Sequence, residues 1–325
     1  MTVCGSKKVT VVRYSASLRG EWDAFVQNAK NSTFLFRRAY MDYNSRITDH
    51  SLMFYSGAEL VALLPANIDG DVLESHGGLT YGGMVLGYGA GVEDVMLLFA
   101  AMRDYLRGNT AVNKVVYRPL PHIYEKYPAE EALYALFRYD ARLLQRKVSS
   151  AVWLRGALPL STLRRRKAKQ AAKAGFAICE DSAFAPFWDV LQSNLQERHG
   201  VRPVHSLGEI ILLASLFPQN IRLFRVVNST GDTIAGALLF VTARVAHVQY
   251  IASSPEGRAS GALDYLFAHL IGREFADKEF FDFGNSVEQG GRYLNKGLIF
   301  QKEGFGARAV VYDTYEIDIN SIIDD

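Results

Sequence analysis

The spacing of apolar positions changes along the chain, and each change marks an element. Val9–Tyr14 is a short apolar run that predicts a strand, and Trp22, Phe25 and Val26 recur at helical spacing within Leu18–Ala29. An aromatic helical stretch follows at Phe34–Asn44. Ser51–Tyr55 and Leu60–Asn67 predict two strands, split by the hairpin signal Ser56-Gly57. Beyond the glycine-rich region His76–Gly91 the pattern predicts a helix over Val92–Leu106, a strand over Lys114–Arg118, a helix from Pro128 to Arg138 and a strand over Arg142–Leu154.

A similar order of elements follows. Helices are expected at Leu163–Ala174, Phe184–Arg198 and Leu207–Phe217, with a strand ending at Glu180. Three β-branched runs, Ile221–Val227, Thr233–Thr242 and Val245–Ser253, are separated by short turns and predict three antiparallel strands. A helix (Gly261–Ala276), a strand (Glu279–Gly284), a short helix near Gly291–Gly297 and a hairpin over Ala309–Ile319 complete the pattern. No residue-level repeat accompanies this likeness of order. The chain has 325 residues, enough for two cores of roughly 150 residues each, and the expected domains are 1–145 and 146–325.

Composition supports folded halves, since 49% of residues are hydrophobic and only nine are proline. The net charge of +2 excludes a protein that coats nucleic acid with its whole surface. Charge is nevertheless uneven: ten Lys or Arg and no acid lie between Ala141 and Cys179, whereas Asp313, Glu316, Asp318, Asp324 and Asp325 make the C-terminal segment acidic. Two distant cysteines, Cys4 and Cys179, suggest neither a disulfide framework nor a zinc site. Lys7, Lys8 and Arg13 sit among short apolar pieces, and no apolar run is long enough for a signal peptide or a membrane span. A cytoplasmic protein without a metal or a membrane span is expected.

Candidate chemistry concentrates in the second half. Alternation along Val245–Ala252 puts His247 and Gln249 on one face and Ala246, Val248 and Tyr250 on the other. Asp282 and Gly284 share a face of the later strand, opposite Phe281 and Phe283. Polar groups on core strands must either satisfy one another or line a cleft, and both readings stay open. The small-residue stretch Ser253–Ala262 between a strand and a helix predicts outward backbone N–H groups suited to an anion, with an ordinary connecting turn as the alternative. In the first half, His76-Gly77-Gly78-Leu79-Thr80-Tyr81-Gly82-Gly83 permits close backbone approach, and Arg118 and His122 sit at a strand end.

The segment Arg258-Ala259-Ser260-Gly261-Ala262-Leu263 resembles the Arg/Gln-x-x-Gly-x-Gly/Ala loop of the GNAT acyl-CoA N-acyltransferase superfamily, with Leu263 where the pattern has Gly or Ala. The basic helix Leu163–Gly175, the Phe281-Asp282-Phe283-Gly284 strand and Phe300-Gln301-Lys302-Glu303-Gly304-Phe305-Gly306 are similar to the Fem-type branch, the tandem-domain peptidoglycan aminoacyltransferases and related envelope acyltransferases. The likeness covers residues 145–320 and, through Tyr81-Gly82-Gly83, part of the first half.

The resemblance implies an α/β (α+β) protein of two tandem GNAT-like domains, each a mixed, mostly antiparallel sheet flanked by helices. It further implies N-acyl transfer from acyl-CoA, such as acetyl-CoA, to an amine of a small or sugar-linked acceptor, a glycan precursor of the cell envelope. Ser254, Arg258, Ser260, Gly261 and Ala262 would hold the coenzyme. Glu288 and Asp282 are the expected bases, Lys302, on a strand edge, the expected cation, and His247 and Gln249 complete the catalytic group. His76, Tyr81, Arg118, His122 and Tyr250 are expected to meet the acceptor. Aminoacyl-tRNA transfer, with phosphate contacts from Arg164–Lys173, is the alternative. An inactive binding protein of the same fold is a further one.

Overall fold

A computed structural model describes residues 8–44 and 46–323, the side chains of Arg198 and His199 excepted. Cys4, Lys7, Asp324 and Asp325 therefore lie outside the described residues. The chain divides into two compact units at Lys147/Val148 and again at Val310/Val311.

In the first unit the chain runs through β1 (Val9–Arg13), α1 (Arg19–Asn28), α2 (Arg38–Met41), β2 (Leu52–Ser56), β3 (Glu59–Leu64), β4 (Asn67–Asp69), β5 (Val72–Glu74), β6 (Val85–Leu86), α3 (Val92–Asn109), β7 (Lys114–Tyr117) and α4 (Glu131–Arg138). It then enters β8 (Arg142–Trp153). Strands β1, β2, β3 and β6 form one antiparallel sheet, with the expected Ser56-Gly57 hairpin. Strands β4 and β5 pair antiparallel, and β5 pairs parallel with β7. The aromatic stretch after α1 is not one helix: Phe34–Phe36 is a single 3-10 turn, followed by the short α2. Its three aromatic and aliphatic side chains are all buried, so packing rather than helix propensity decides its shape.

The second unit contains the end of β8, α5 (Thr162–Lys173), β9 (Ala177–Asp181), α6 (Phe184–His199), α7 (Leu207–Leu216), β10 (Ile221–Val227), β11 (Thr233–Val241), β12 (Val245–Ser253), α8 (Pro255–Ser260), α9 (Ala262–His269), β13 (Phe280–Asn285), β14 (Val287–Glu288), β15 (Tyr293–Leu294) and α10 (Lys296–Glu303). Its sheet runs β8-β13-β12-β11-β10-β9, antiparallel except for β12 against β13. Ala235, Ala237, Leu239, Ala246 and Val248 send their side chains into a core with Leu266, Phe267 and Leu270 of the α9 region. On the opposite face Gly236 lies against Phe187 of α6. Both units thus have mixed, mostly antiparallel sheets flanked by helices, as the resemblance implies.

The closing segment differs from the expected hairpin. It is one strand, β16 (Arg308–Asp318), and from Val311 onward it belongs to the first unit. The cause is its pairing with β7, Tyr315 opposite Tyr117 and Ile317 opposite Val115, and the burial of Ile317, Ile319 and Ile322 in the first core. Among the described residues no helix is long and apolar enough to cross a membrane.

Gly257 is the tightest constraint near β12. A Cβ there would stand 2.1 Å from the Ile234 carbonyl oxygen and 2.6 Å from Ser253 Oγ. Gly257→Ala should therefore lower stability in urea titration by about 2 kcal/mol or more, through overpacking. Gly208→Ala, in open space on α7, should instead leave stability unchanged or raise it by about 0.5 kcal/mol.

Candidate functional site

Strand β12 pairs with β13 only at Val245↔Phe280, Ala246↔Phe281 and His247↔Asp282. β12 continues to Ser253 on the edge of β11, so beyond His247 its other edge has no strand partner among the described residues. The register against β11 slips where Leu238 faces Tyr250 and Leu239 faces Val248, leaving Gln249 as the extra residue of a bulge. This corrects the expected alternation. Val248 points into the core beside α9, whereas Tyr250, after the bulge, reaches Trp188 of α6 at 5.3 Å and His205 Nδ1 at 2.7 Å. Burial raises the Tyr250 pKa. Tyr250 thus anchors the loop before α7.

Asp282 is wholly buried at the point where the two strands part. A carboxylate there must be surrounded by donors. Ser149 Oγ–H of β8 and the Gly284 N–H, the latter at 2.9 Å, both donate to its Oδ1, and His247 Nδ1 lies 2.9 Å from its Oδ2. The Gly284 contact is possible because β13 bulges against β8 between Asp282 and Asn285 and Gly284 takes a left-handed conformation, φ 73°. A side chain at Gly284 would also press on His247 Cε1, at 3.4 Å. Ser149 was not foreseen; its signal was the polar pair Ser149-Ser150 within the apolar end of β8, residues 148–153.

Lys302 lies in the last turn of α10, not on a strand edge. Its ammonium donates to the Gly284 and Asn285 carbonyls, at 2.8 and 2.7 Å, and to Ser286 Oγ at 2.8 Å. It therefore ties the turn after β13 to α10. Burial pushes its pKa down to about 8, and nearby Asp282 opposes that shift. Glu288 is exposed, and its Oε1 accepts from Asn295 Nδ2 at 2.9 Å. Asn295 also caps α10 through Leu298 N–H, so Glu288 braces that cap.

The stretch Ser253–Ala262 is not an open loop. Ser254 Oγ accepts from Gly257 N–H, Arg258 donates to the Ser253 carbonyl at 2.8 Å, and Ser260 Oγ donates to the Gly257 carbonyl. Gly261 ends α8 in a left-handed conformation and starts α9, and Ala262 is fully buried. Arg164 is likewise internal: it is buried and donates to Asp264 of α9 at 2.7 Å.

The other expected residues belong to the first unit. His76 is buried with φ 60°, and burial lowers its pKa to about 4, so it stays neutral. Arg118 faces Glu74 at 3.5 Å. Tyr81 is buried against Tyr124 and donates to Thr33 Oγ1 at 3.2 Å. His122 is exposed and lines a small cavity with Glu125 and Asp313. The close approach that Gly82 permits is to its own chain, since a Cβ there would meet the Ser75 carbonyl.

Residues 161–291 match the GNAT acetyltransferase domain. The second unit is therefore acyltransferase-like in fold. FemX superposes with a TM-score of 0.65 at 12% identity, over 93% of this chain and 96% of that one. The C-terminal domain of a putative lysylphosphatidylglycerol synthetase from Agrobacterium fabrum gives 0.58 at 14%, over 93% and 92%. L-PGS from Bacillus licheniformis gives 0.58 at 12%, over 91% and 90%. The chain shares its fold with these proteins, and within it residues 161–291 match the GNAT domain. A comparison with curated proteins finds no match.

Removing Asp282 as alanine would strand three donors and should cost about 3 kcal/mol in urea titration. For Lys302 the folded pKa lies below that of the unfolded chain, so the unfolded chain binds more protons between about 8 and about 10.4. The buried charge thus costs stability at neutral pH, and that cost is relieved as pH rises through this window. The stability of wild type relative to Lys302→Met should increase from pH 8 to 10; a difference that stays flat would contradict the burial of a charged amine.

Proposed function

We propose that the second unit is an N-acyltransferase whose reaction centre is the opening between β12 and β13. The observation that supports this most is the His247–Asp282 pair at that opening. An acceptor amine attacks a carbonyl only as the neutral base, and its nitrogen must then lose a proton. Asp282 accepts the hydrogen bond of a protonated His247 Nδ1, which leaves Nε2 as the basic nitrogen of the neutral ring. His247 is the proton acceptor in this reading, and Asp282, too enclosed to meet substrate, is its positioning residue.

The amine nitrogen bonds to the acyl carbon, and the bond from that carbon to the carrier's sulfur or oxygen breaks. The proton taken by His247 passes to the leaving group. Backbone N–H groups on the unpaired edge of β12, beside the Gln249 bulge, can hold the oxyanion. Lys302 acts through the turn it ties down.

For the acceptor we retain an amine of a small or sugar-linked envelope precursor, supported by the fold shared with FemX and with a lysylphosphatidylglycerol synthetase domain. Two donors remain, acyl-CoA and aminoacyl-tRNA, both cytoplasmic. The second is favoured by α5, whose exposed Arg165, Lys169 and Lys173 form a stripe at i, i+4 and i+8 with Arg166 alongside.

The test supplies both donors to a panel of primary amines that includes amino sugars and follows amide formation. His247→Gln should slow transfer by roughly 10²–10⁴-fold without loss of folding, whereas Glu288→Gln should stay within about threefold of wild type, since an exposed brace adds little to the barrier. Wild-type rates in His247→Gln would remove the base assignment. No transfer to any amine would remove the proposed function.

A further inference from the structure

We infer that this chain does not take its acyl group from coenzyme A, because the helix end that would receive the diphosphate is filled by the chain's own groups. The inference rests on the acyl-transfer reading and concerns its donor. A diphosphate at a helix N-terminus needs exposed N–H groups, room for two phosphates and a positive local field. At the N-terminus of α9, Gly261 and Ala262 are buried, the main chain of α5 crowds the turn, and a carboxylate occupies the first turn.

Asp264, in the first turn of α9, is 5% exposed and puts a carboxylate at the positive end of the helix. That charge is already matched, by Arg164 NH1 at 2.7 Å. Arg164 in turn is held in place from α10: a Cβ on Gly304 would stand 3.1 Å from its Cγ and its Nε, and the Phe305 ring lies 5.6 Å from its guanidinium carbon. Room is missing as well. A Cβ on Gly261 would stand 3.2 Å from Lys167 Cβ and 3.3 Å from the Lys167 carbonyl oxygen, so the main chain of α5 lies on the turn that opens α9. Arg258, the residue that would reach a phosphate, is bonded to the Ser253 carbonyl. A diphosphate on the Gly261 side would have to displace the main chain of α5. The donor is accordingly an acyl ester or thioester on a carrier that does not bring a nucleoside diphosphate to α9.

The test uses the wild-type full chain with acetyl-CoA, coenzyme A and inorganic pyrophosphate. Calorimetry should detect no saturable binding up to about 1 mM, where a Kd near 10 µM would put free ligand at about 100 times Kd, near full occupancy, with a clear thermal shift. Hydrogen exchange over 261–266 should be slow and unaltered by acetyl-CoA. Saturable micromolar binding with slower exchange over 261–266 would overturn the inference. Amide product from acyl-CoA would also overturn it while leaving the acyl-transfer reading intact. No product from any donor, with coenzyme A still unbound, would remove that reading and leave the closed helix end standing.

Discussion

One buried carboxylate organises the second unit. Asp282 sits where the parallel pairing of β12 and β13 stops, wholly shielded from water, and an ionised group in that position is tolerated only while its donors stay in place. Ser149 ties it to β8, the Gly284 N–H ties it to the bulge of its own strand, and His247 ties it across to β12. The separation of the strands, the orientation of the imidazole and the left-handed glycine are thus consequences of satisfying one group. Lys302 completes the arrangement from α10 by holding the carbonyls that the bulge exposes.

The short motifs that point to the superfamily prove to be packing devices as much as chemical ones. In Phe281-Asp282-Phe283-Gly284 the alternation sends two rings, 5.1 Å apart, into the core beside α9 and the carboxylate to the other face. In Gly304-Phe305-Gly306 the glycines admit Arg164 and the Leu158 carbonyl, while Phe305 stacks with Phe267 and Phe283. The basic helix contributes one cation inward and leaves the rest outside.

Elements whose pattern is local were legible in the sequence. The three antiparallel strands β10 to β12, helices α6 and α7, and the hairpin at Ser56-Gly57 fall within a residue or so of their expected bounds, because period and turn residues suffice to define them. His247 and Asp282 were also legible, as polar residues on core strands. What escaped depended on partners distant in sequence. The bulge at Gln249 is a matter of register with β11, and it moved Tyr250 to the opposite face from Val248. The loop after β12 became α8, capped by its own serine, and Arg258 turned inward. The closing strand left the second half because β7 and the first core take up its isoleucines. Lys302 was assigned to a strand by analogy and lies on a helix.

The central claim is that Asp282 fixes the proton on one nitrogen of His247, so that the other serves as the base at the opening. Nitrogen-15 NMR of histidine-labelled protein tests this directly, with His247→Gln to assign the resonance. In its neutral form the ring should be protonated at Nδ1, with an unprotonated Nε2 shift that changes in Asp282→Asn. A neutral His247 protonated at Nε2 in the wild type would contradict the account.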